Sequence, residues 1–302
     1  MSRRKRGLNI HGIVLLDKPV GISSNRALQK VRGIFQARKA GHTGSLDPFA
    51  TGMLPICLGE ASKTASFMLE AGKSYRATAR LGEATTTGDI EGEVIQTGAI
   101  PDVTPTDLEK VLAQFAGEIQ QVPPMYSALK HDGKPLYEYA RAGIEIERPA
   151  RTVTIHRIEL IAWQPPLLTF DVHCSKGTYI RTLAEDIAKE LDSCAHLVEL
   201  RRQTVEPFEN FDMQTLEQLQ QKLDDDDLQS CLLPIDVGLA AWPKVTLDQL
   251  QQAKFSHGNP FEYTSGNLPA GRVRVYGSHD DLLGLARLQA DGVLKALKVF
   301  NL

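Results

Sequence analysis

The 302-residue chain reads as an α+β protein. Strand-like and helix-like stretches interleave without a strict strand-helix-strand rhythm, and Phe255 to Leu302 breaks into short apolar runs between glycines and prolines. Two periods carry this reading. Tyr75, Ala77, Ala79 and Leu81 alternate with Arg76, Thr78 and Arg80, as in a strand with one buried face, whereas Ala27, Leu28, Val31, Ile34 and Phe35 recur at helical spacing. With 42% hydrophobic residues, a chain of this length can bury the core of one large domain and a small one.

The elements follow in order. Gly12 to Asp17 suits a short buried strand, and SSNRALQKVRGIF suits a helix capped by Ser23 or Ser24, leaving Arg26, Lys30 and Arg32 for its other face. Met53 to Leu58 predicts a second buried strand, Ala61 to Leu69 a helix, and Tyr75 the opening of the next strand. A turn-rich connection from Glu83 to Gly92 carries Asp89. Beyond it come a strand near Val94 and a helix from Leu108 to Phe115, introduced by Thr104-Pro105. Pro123 to Ala150 is irregular apart from a helix near Leu136 to Arg141, and such a stretch within a compact domain is often functional. Strands are expected at Thr152 to Ala162, Leu167 to Cys174 and Val198 to Thr204, with an amphipathic helix Ile180 to Leu191 between the last two. The acidic run Asp224 to Asp227 reads as a solvated linker or a helix start. A boundary in Asp236 to Lys244 divides a domain over 1–240 from one over 245–302, in which Gly271 to Tyr276 and Leu282 to Leu288 suit a small β-barrel-like unit.

Net charge is only −3, but it is unevenly spread. Residues 1–76 hold 13 basic and 4 acidic side chains, a net +9, while residues 77–302 carry −12. Local field rather than total charge steers a polyanion onto a surface, although a solvated basic face gives the same count. The four cysteines, Cys57, Cys174, Cys194 and Cys231, form no CxxC pair, which argues against a disulfide framework or a thiolate metal site. No run reaches the length of a membrane span, and the basic start MSRRKRGLNIHG lacks the apolar stretch of a secretory signal, so a cytoplasmic location is expected. AGKS at Ala71 to Ser74 imitates a phosphate-binding loop, but Phe67 stands where that loop needs glycine, which leaves Lys73 as a surface or phosphate-contacting lysine. No GxGxxG supports a dinucleotide cofactor.

The segment GHTGSLDPFATGMLPICLGEASK, Gly41 to Lys63, holds the chemistry. Asp47 precedes Pro48, which restricts its backbone, and Gly44 and Gly52 supply the freedom to reverse the chain around it. His42, Thr43, Ser45 and Thr51 surround a single carboxylate, with no second acid until Glu60. One isolated carboxylate suits a nucleophile better than a general acid/base pair. A glycoside hydrolase acting through Asp47 would want a second acid about 5 to 10 Å away, and the loop offers none.

This string, with GIVLLDKPVGISSN, SYRATARLG, PPMYSALK, HCSKGTYIRTLAEDI and AHLVELRR in order behind it, resembles the signature of the TruB family of tRNA pseudouridine synthases. The resemblance is dense over the first two thirds of the chain and loose beyond. It implies a mixed, largely antiparallel sheet of the pseudouridine synthase type over 1–240, with 123–150 as an RNA-clamping insertion, and a PUA-like RNA-binding domain over 245–302. It implies isomerisation of uridine 55 in the T arm of tRNA by a monomer, without cofactor or metal, with Asp47 as nucleophile acting directly at C1′ or through a glycal-like route. Tyr75, Tyr179 and Leu200 would line the base pocket, His42 would take the place of the flipped base, and Arg181 would pair with Asp47. Lys18 and Asp89 also fall on motif positions, as supports of the site or the RNA. Flipping a base needs such an apolar, aromatic pocket, and a buried carboxylate needs a cation. The rival expectation is a catalytically silent protein that binds and folds tRNA.

Overall fold

A computed structural model describes residues 7–264 and 268–302; the basic run 1–6 lies outside the described residues. The apolar run near the start forms the strand Gly12–Lys18, buried on both faces and paired antiparallel with Thr51–Leu58. These two strands edge an eight-stranded sheet. It continues through Ala195–Val205, Lys73–Leu81, Leu167–Cys174 and Arg151–Gln164 to Gly117–Gln121, while Ala40–His42 adds to Thr51–Leu58. Every pairing between these strands is antiparallel except one. Arg201 and Arg202 run parallel to Thr51 and Gly52, and this short seam joins the sheet's two halves.

The seam depends on glycine. Gly52 has φ +98, and a Cβ added there would stand 2.1 Å from the Arg202 carbonyl oxygen. On one side of the sheet, helix Ser24–Ile34 is capped by Ser23 and buries Ala27, Leu28 and Val31 in a cluster with Val14, Leu16, Leu54 and Ile56. Arg26 and Lys30 remain in solvent, as the helical spacing predicts. Helix Ile180–Lys189 sets Ile180, Leu183, Ala184 and Ile187 into the cluster that holds Ala77, Ala79, Leu81, Phe170 and Leu197. The Thr104-Pro105 start becomes a capping box on helix Pro105–Gln114.

Pro123 to Ala150 bridges two neighbouring strands with a two-residue hairpin, Lys130–His131 against Lys134–Pro135, and helix Leu136–Arg141. The C-terminal sheet has five strands in the order Lys244–Thr246, Gly271–Tyr276, Leu282–Leu288, Val293–Val299, Phe261–Glu262. It closes around Val245, Phe255, Val273 and Val275. Among the described residues no helix is long and apolar enough to cross a membrane.

Three local expectations need correction. The helix expected over Ala61 to Leu69 is split into a 3-10 turn, Gly59–Lys63, and a short helix, Ala65–Met68, because the Thr64 hydroxyl donates to the Ala61 carbonyl at 2.8 Å and competes with the helical ladder. The acidic run Asp224 to Asp227 is not a helix start: Asp224 ends helix Leu216–Asp224 and Asp225 to Asp227 form the solvated connection after it, where Asp226 turns left-handed at φ +57. Tyr75 is the third residue of its strand, which begins at Lys73.

Candidate active site

Asp47 lies in the turn between Ala40–His42 and Thr51–Leu58, at the end of the parallel seam. That turn is fastened from several sides. Ser24 accepts from the Leu46 N–H at 2.7 Å and donates to the Leu46 carbonyl at 3.0 Å. Lys18, wholly buried, donates to the carbonyls of Pro19 at 2.9 Å, Ile22 at 2.8 Å and Pro48 at 3.2 Å. Arg202 donates from Nε to the Met53 carbonyl at 2.7 Å and from its terminal nitrogens to Gly44 at 3.1 Å and, weakly, Ser45 at 3.5 Å. The Asp47 backbone is therefore placed by side chains from two strands and a helix, not by the turn sequence alone.

The carboxylate meets Arg181. Its Nε stands 3.1 Å from Asp47 Oδ2, one terminal nitrogen is 3.4 Å from Asp89 Oδ2 and donates to Thr87 at 2.6 Å, and the other donates to the Tyr126 carbonyl at 2.7 Å. Arg181 is in the first turn of its helix, where the dipole gives a cation no help, yet only 5% of its side chain is exposed. Asp47 keeps 40% of its side chain open. Burial pushes the Asp47 pKa up from the ordinary carboxylate value; Arg181 opposes the rise, Asp89 adds to it and Lys18 opposes it. Burial lowers Lys18 to about 8 against the attraction of Asp47.

Two cavities meet at the Asp47–Arg181 pair. The larger, about 920 Å³, is bordered by His42, Ser45 and Asp89 and by Tyr126, Tyr137 and Arg141 from the irregular stretch. The smaller, about 320 Å³, is walled by Tyr75, Tyr179 and Leu200 together with Leu69, Lys73 and Arg202. Of the residues singled out from sequence, Asp47 and Arg181 thus border both spaces. Tyr75, Tyr179 and Leu200 share the smaller, His42 and Asp89 the larger, and Lys18 lies under the turn and borders neither.

Tyr75 is buried, which raises its phenol pKa, and Arg202 opposes that rise. Tyr179 caps helix Ile180–Lys189, and the Gln121 side chain grips its backbone twice, accepting from its N–H at 2.8 Å and donating to its carbonyl at 3.1 Å. His42 has a buried Nδ1 without a hydrogen-bond partner among the described residues. Burial, and then Arg202, push its imidazole below the ordinary value, so the ring is neutral at pH 7.

Sequence reasoning missed Ser24, Gln121 and Arg202 as site residues and misplaced Lys73. Lys73 is 8% exposed, donates to the carbonyls of Ala71 at 2.7 Å and Leu69 at 3.4 Å, and is lowered to about 8 by burial. Its signal was available, since Lys73 shares the odd-numbered parity that buries Tyr75, Ala77, Ala79 and Leu81.

Solved structures share this fold. The chain superimposes with a TM-score of 0.73 at 25% identity on a chain of an H/ACA RNP bound to a substrate RNA containing 2'-deoxyuridine, covering 96% of this chain and 85% of that one. It superimposes with a TM-score of 0.71 at 26% identity on a chain of a Cbf5-Nop10-Gar1 complex, with the same coverage. The class is that of a pseudouridine synthase, an isomerase. Residues 32–180 match the TruB family pseudouridylate synthase N-terminal domain, 181–240 the tRNA pseudouridylate synthase B C-terminal domain, and 243–300 the C-terminal domain of pseudouridine synthase II TruB. The chain is 48% identical over 306 residues to tRNA pseudouridine synthase B of Mannheimia succiniciproducens, covering 100% of both, and 47% identical over 306 residues to that of Actinobacillus succinogenes, covering 100% and 98%. The chain belongs to the TruB family.

Proposed function

We propose that this enzyme converts uridine 55, in the T arm of tRNA, to pseudouridine, with Asp47 as the nucleophile. The observation that carries the reading is the placement of the Asp47–Arg181 pair where the two cavities meet. One is base-sized with Tyr75, Tyr179 and Leu200 in its wall, and the other is broad and bordered by His42. A target nucleotide turned out of its stack would set its ring against Tyr75 in the smaller space, leaving the strand in the larger, where the neutral His42 ring can fill the gap in the stack. Arg181 opposes the protonation that burial favours at Asp47, and Asp89, Thr87 and Tyr126 hold Arg181. Asp47 then acts at C1′ directly or assists a glycal-like route. The base is detached, turned and rejoined through C5.

In this reading residues 1–240 form the catalytic domain, 123–150 is an insertion that clamps the T arm, and 245–302 is a PUA-like RNA-binding domain of a protein that acts as a monomer in the cytoplasm. The bordering of the larger cavity by Tyr126, Tyr137 and Arg141 supports the clamp. Release of tritium from [5-³H]uridine-labelled tRNA is the test, since only attachment at C5 expels that proton. Wild type should release it, and Asp47→Asn should lose turnover by orders of magnitude while tRNA affinity changes little. Binding without release by wild type would favour a silent tRNA-folding protein.

A further inference from the structure

The wall of the smaller cavity carries more positive charge than the Asp47–Arg181 pair uses. Arg202 is 1% and Lys73 8% exposed, and among the described residues neither forms an ion pair. Their partners are backbone carbonyls. Arg202 has five N–H groups and three acceptors, one of them distant at 3.5 Å; Lys73 has three and two acceptors. Asp47 is engaged by Arg181, and Glu206, the carboxylate that acts on Lys73, accepts from the Gly72 N–H at 3.0 Å and faces His173 Nε2 at 3.0 Å. Two buried cations without a counterion are costly, and a wall that keeps them is matched to an anion that exists only during the reaction. Arg202 already acts on the Tyr75 hydroxyl, so its field reaches the cavity.

The reaction itself creates such an anion. When C1′–N1 breaks, by direct attack or by the glycal-like route, the bonding pair stays on the base, giving a uracil anion spread over N1 and the two carbonyl oxygens. Tyr75 and Leu200 can hold the ring but supply no charge. We propose that Lys73 and Arg202 stabilise this detached uracil anion and hold it while it turns to present C5. In the direct route C5 then returns an electron pair to C1′ as the Asp47 oxygen departs, C5 gives up its proton and N1 takes one, so the product is an isomer of the substrate and no redox partner is needed. The inference rests on the pseudouridylation reading above.

Arg202 also pins the Asp47 turn, so Lys73 gives the cleaner test. A T-arm hairpin would carry uridine or 5-fluorouridine at the target position, and single-turnover loss of the N-linked nucleotide would be followed by nuclease digestion and chromatography. Fluorine withdraws charge and makes the departing anion intrinsically more stable. Lys73→Met should slow uridine consumption by about 10²-fold or more, the scale of losing one pre-organised charge-stabilising group, but should slow 5-fluorouridine by about tenfold or less. Lys73→Arg, which keeps the cation, should stay within about tenfold of wild type on both substrates. Loss by the same factor on both, or no loss on either, overturns the proposal and makes Lys73 a structural residue. Should the Met variant fail to fold, Lys73→Gln is read by the same ratio. A wild-type enzyme that left uridine unconverted would instead sink the functional reading beneath.

Discussion

Asp47 is held in a state that costs stability. Its raised pKa means the folded protein binds its proton more tightly than the unfolded chain does, so stability falls as pH rises from the ordinary carboxylate value through the folded one. Asp47→Asn, inactive in the proposed mechanism, should therefore melt at or above the wild-type temperature at pH 7, and a lower melting temperature would contradict the sign. The same shift governs rate. The nucleophile is the carboxylate, so single-turnover rate should fall on the acid side at a pH above that of an ordinary aspartate. Asp89→Asn removes a negative neighbour and should move that limb to lower pH; an upward shift would refute the assigned electrostatics. Tyr75→Phe keeps the stacking face and Tyr75→Leu removes it, which is worth about 1–3 kcal/mol per base, so Leu should be the slower variant and equal single-turnover rates would remove stacking from Tyr75. Asp47, Tyr75 and Arg181 were legible because they stand in dense local motifs. Arg202 was not. It adjoins Arg201, which pairs at the sheet surface with Asp17 at 2.7 Å, and only the register of a bulged strand decides which of two identical neighbours turns inward.

At the scale of elements, what the sequence made legible tracks hydrophobic period. Leu167–Cys174 and Leu136–Arg141 fall where expected, as do Gly271–Tyr276 and Leu282–Leu288, because their apolar spacing and turn signals agree. Gly117–Gln121 was missed because GEIQQ is an edge strand with one aliphatic residue, yet its last residue, Gln121, fixes the Tyr179 backbone. The parallel seam was illegible for another reason: it involves two residues on each strand and is set by a close backbone approach at Gly52. This makes Gly52 a test of how the sheet positions Asp47. Gly52→Ala forces a Cβ against the Arg202 carbonyl oxygen at φ +98, and should cost about 1–3 kcal/mol or more and lower turnover by displacing the turn. Gly133→Ala, also at positive φ (+79) but with open space around it, should cost only about 1–2 kcal/mol of backbone strain and leave thermal stability closer to wild type. Equal denaturation midpoints for the two variants would show that the seam is not tightly packed.

At the scale of the whole molecule, the two sheets are not separable pieces. Leu285 of the C-terminal sheet and Phe300, just beyond its strand Val293–Val299, share a core with Ile13, Leu15, Met53 and Phe208, Lys63 donates to the Val299 carbonyl at 2.7 Å, and the Asn301 N–H donates to Glu60 at 3.0 Å. Deleting residues 245–302 would uncover that apolar face, so the proposed division of labour is better tested on the surface. Arg287 and Lys295 stand directly opposite each other on neighbouring C-terminal strands and are both exposed. Like charges facing across strands disfavour the sheet, and a phosphate backbone laid over them would relieve that repulsion. If the C-terminal sheet grips a part of tRNA remote from the T arm, Arg287→Glu with Lys295→Glu should raise KM for whole tRNA and flatten its salt dependence by about 0.7 to 0.9 for each phosphate no longer neutralised. The same double variant should leave kcat on whole tRNA, and both constants on an isolated T-arm hairpin, near wild type, because neither residue borders the cavities at Asp47. An equal rise in KM on hairpin and whole tRNA would place the C-terminal sheet on the T arm itself, and an unchanged KM on both would take this face out of RNA binding.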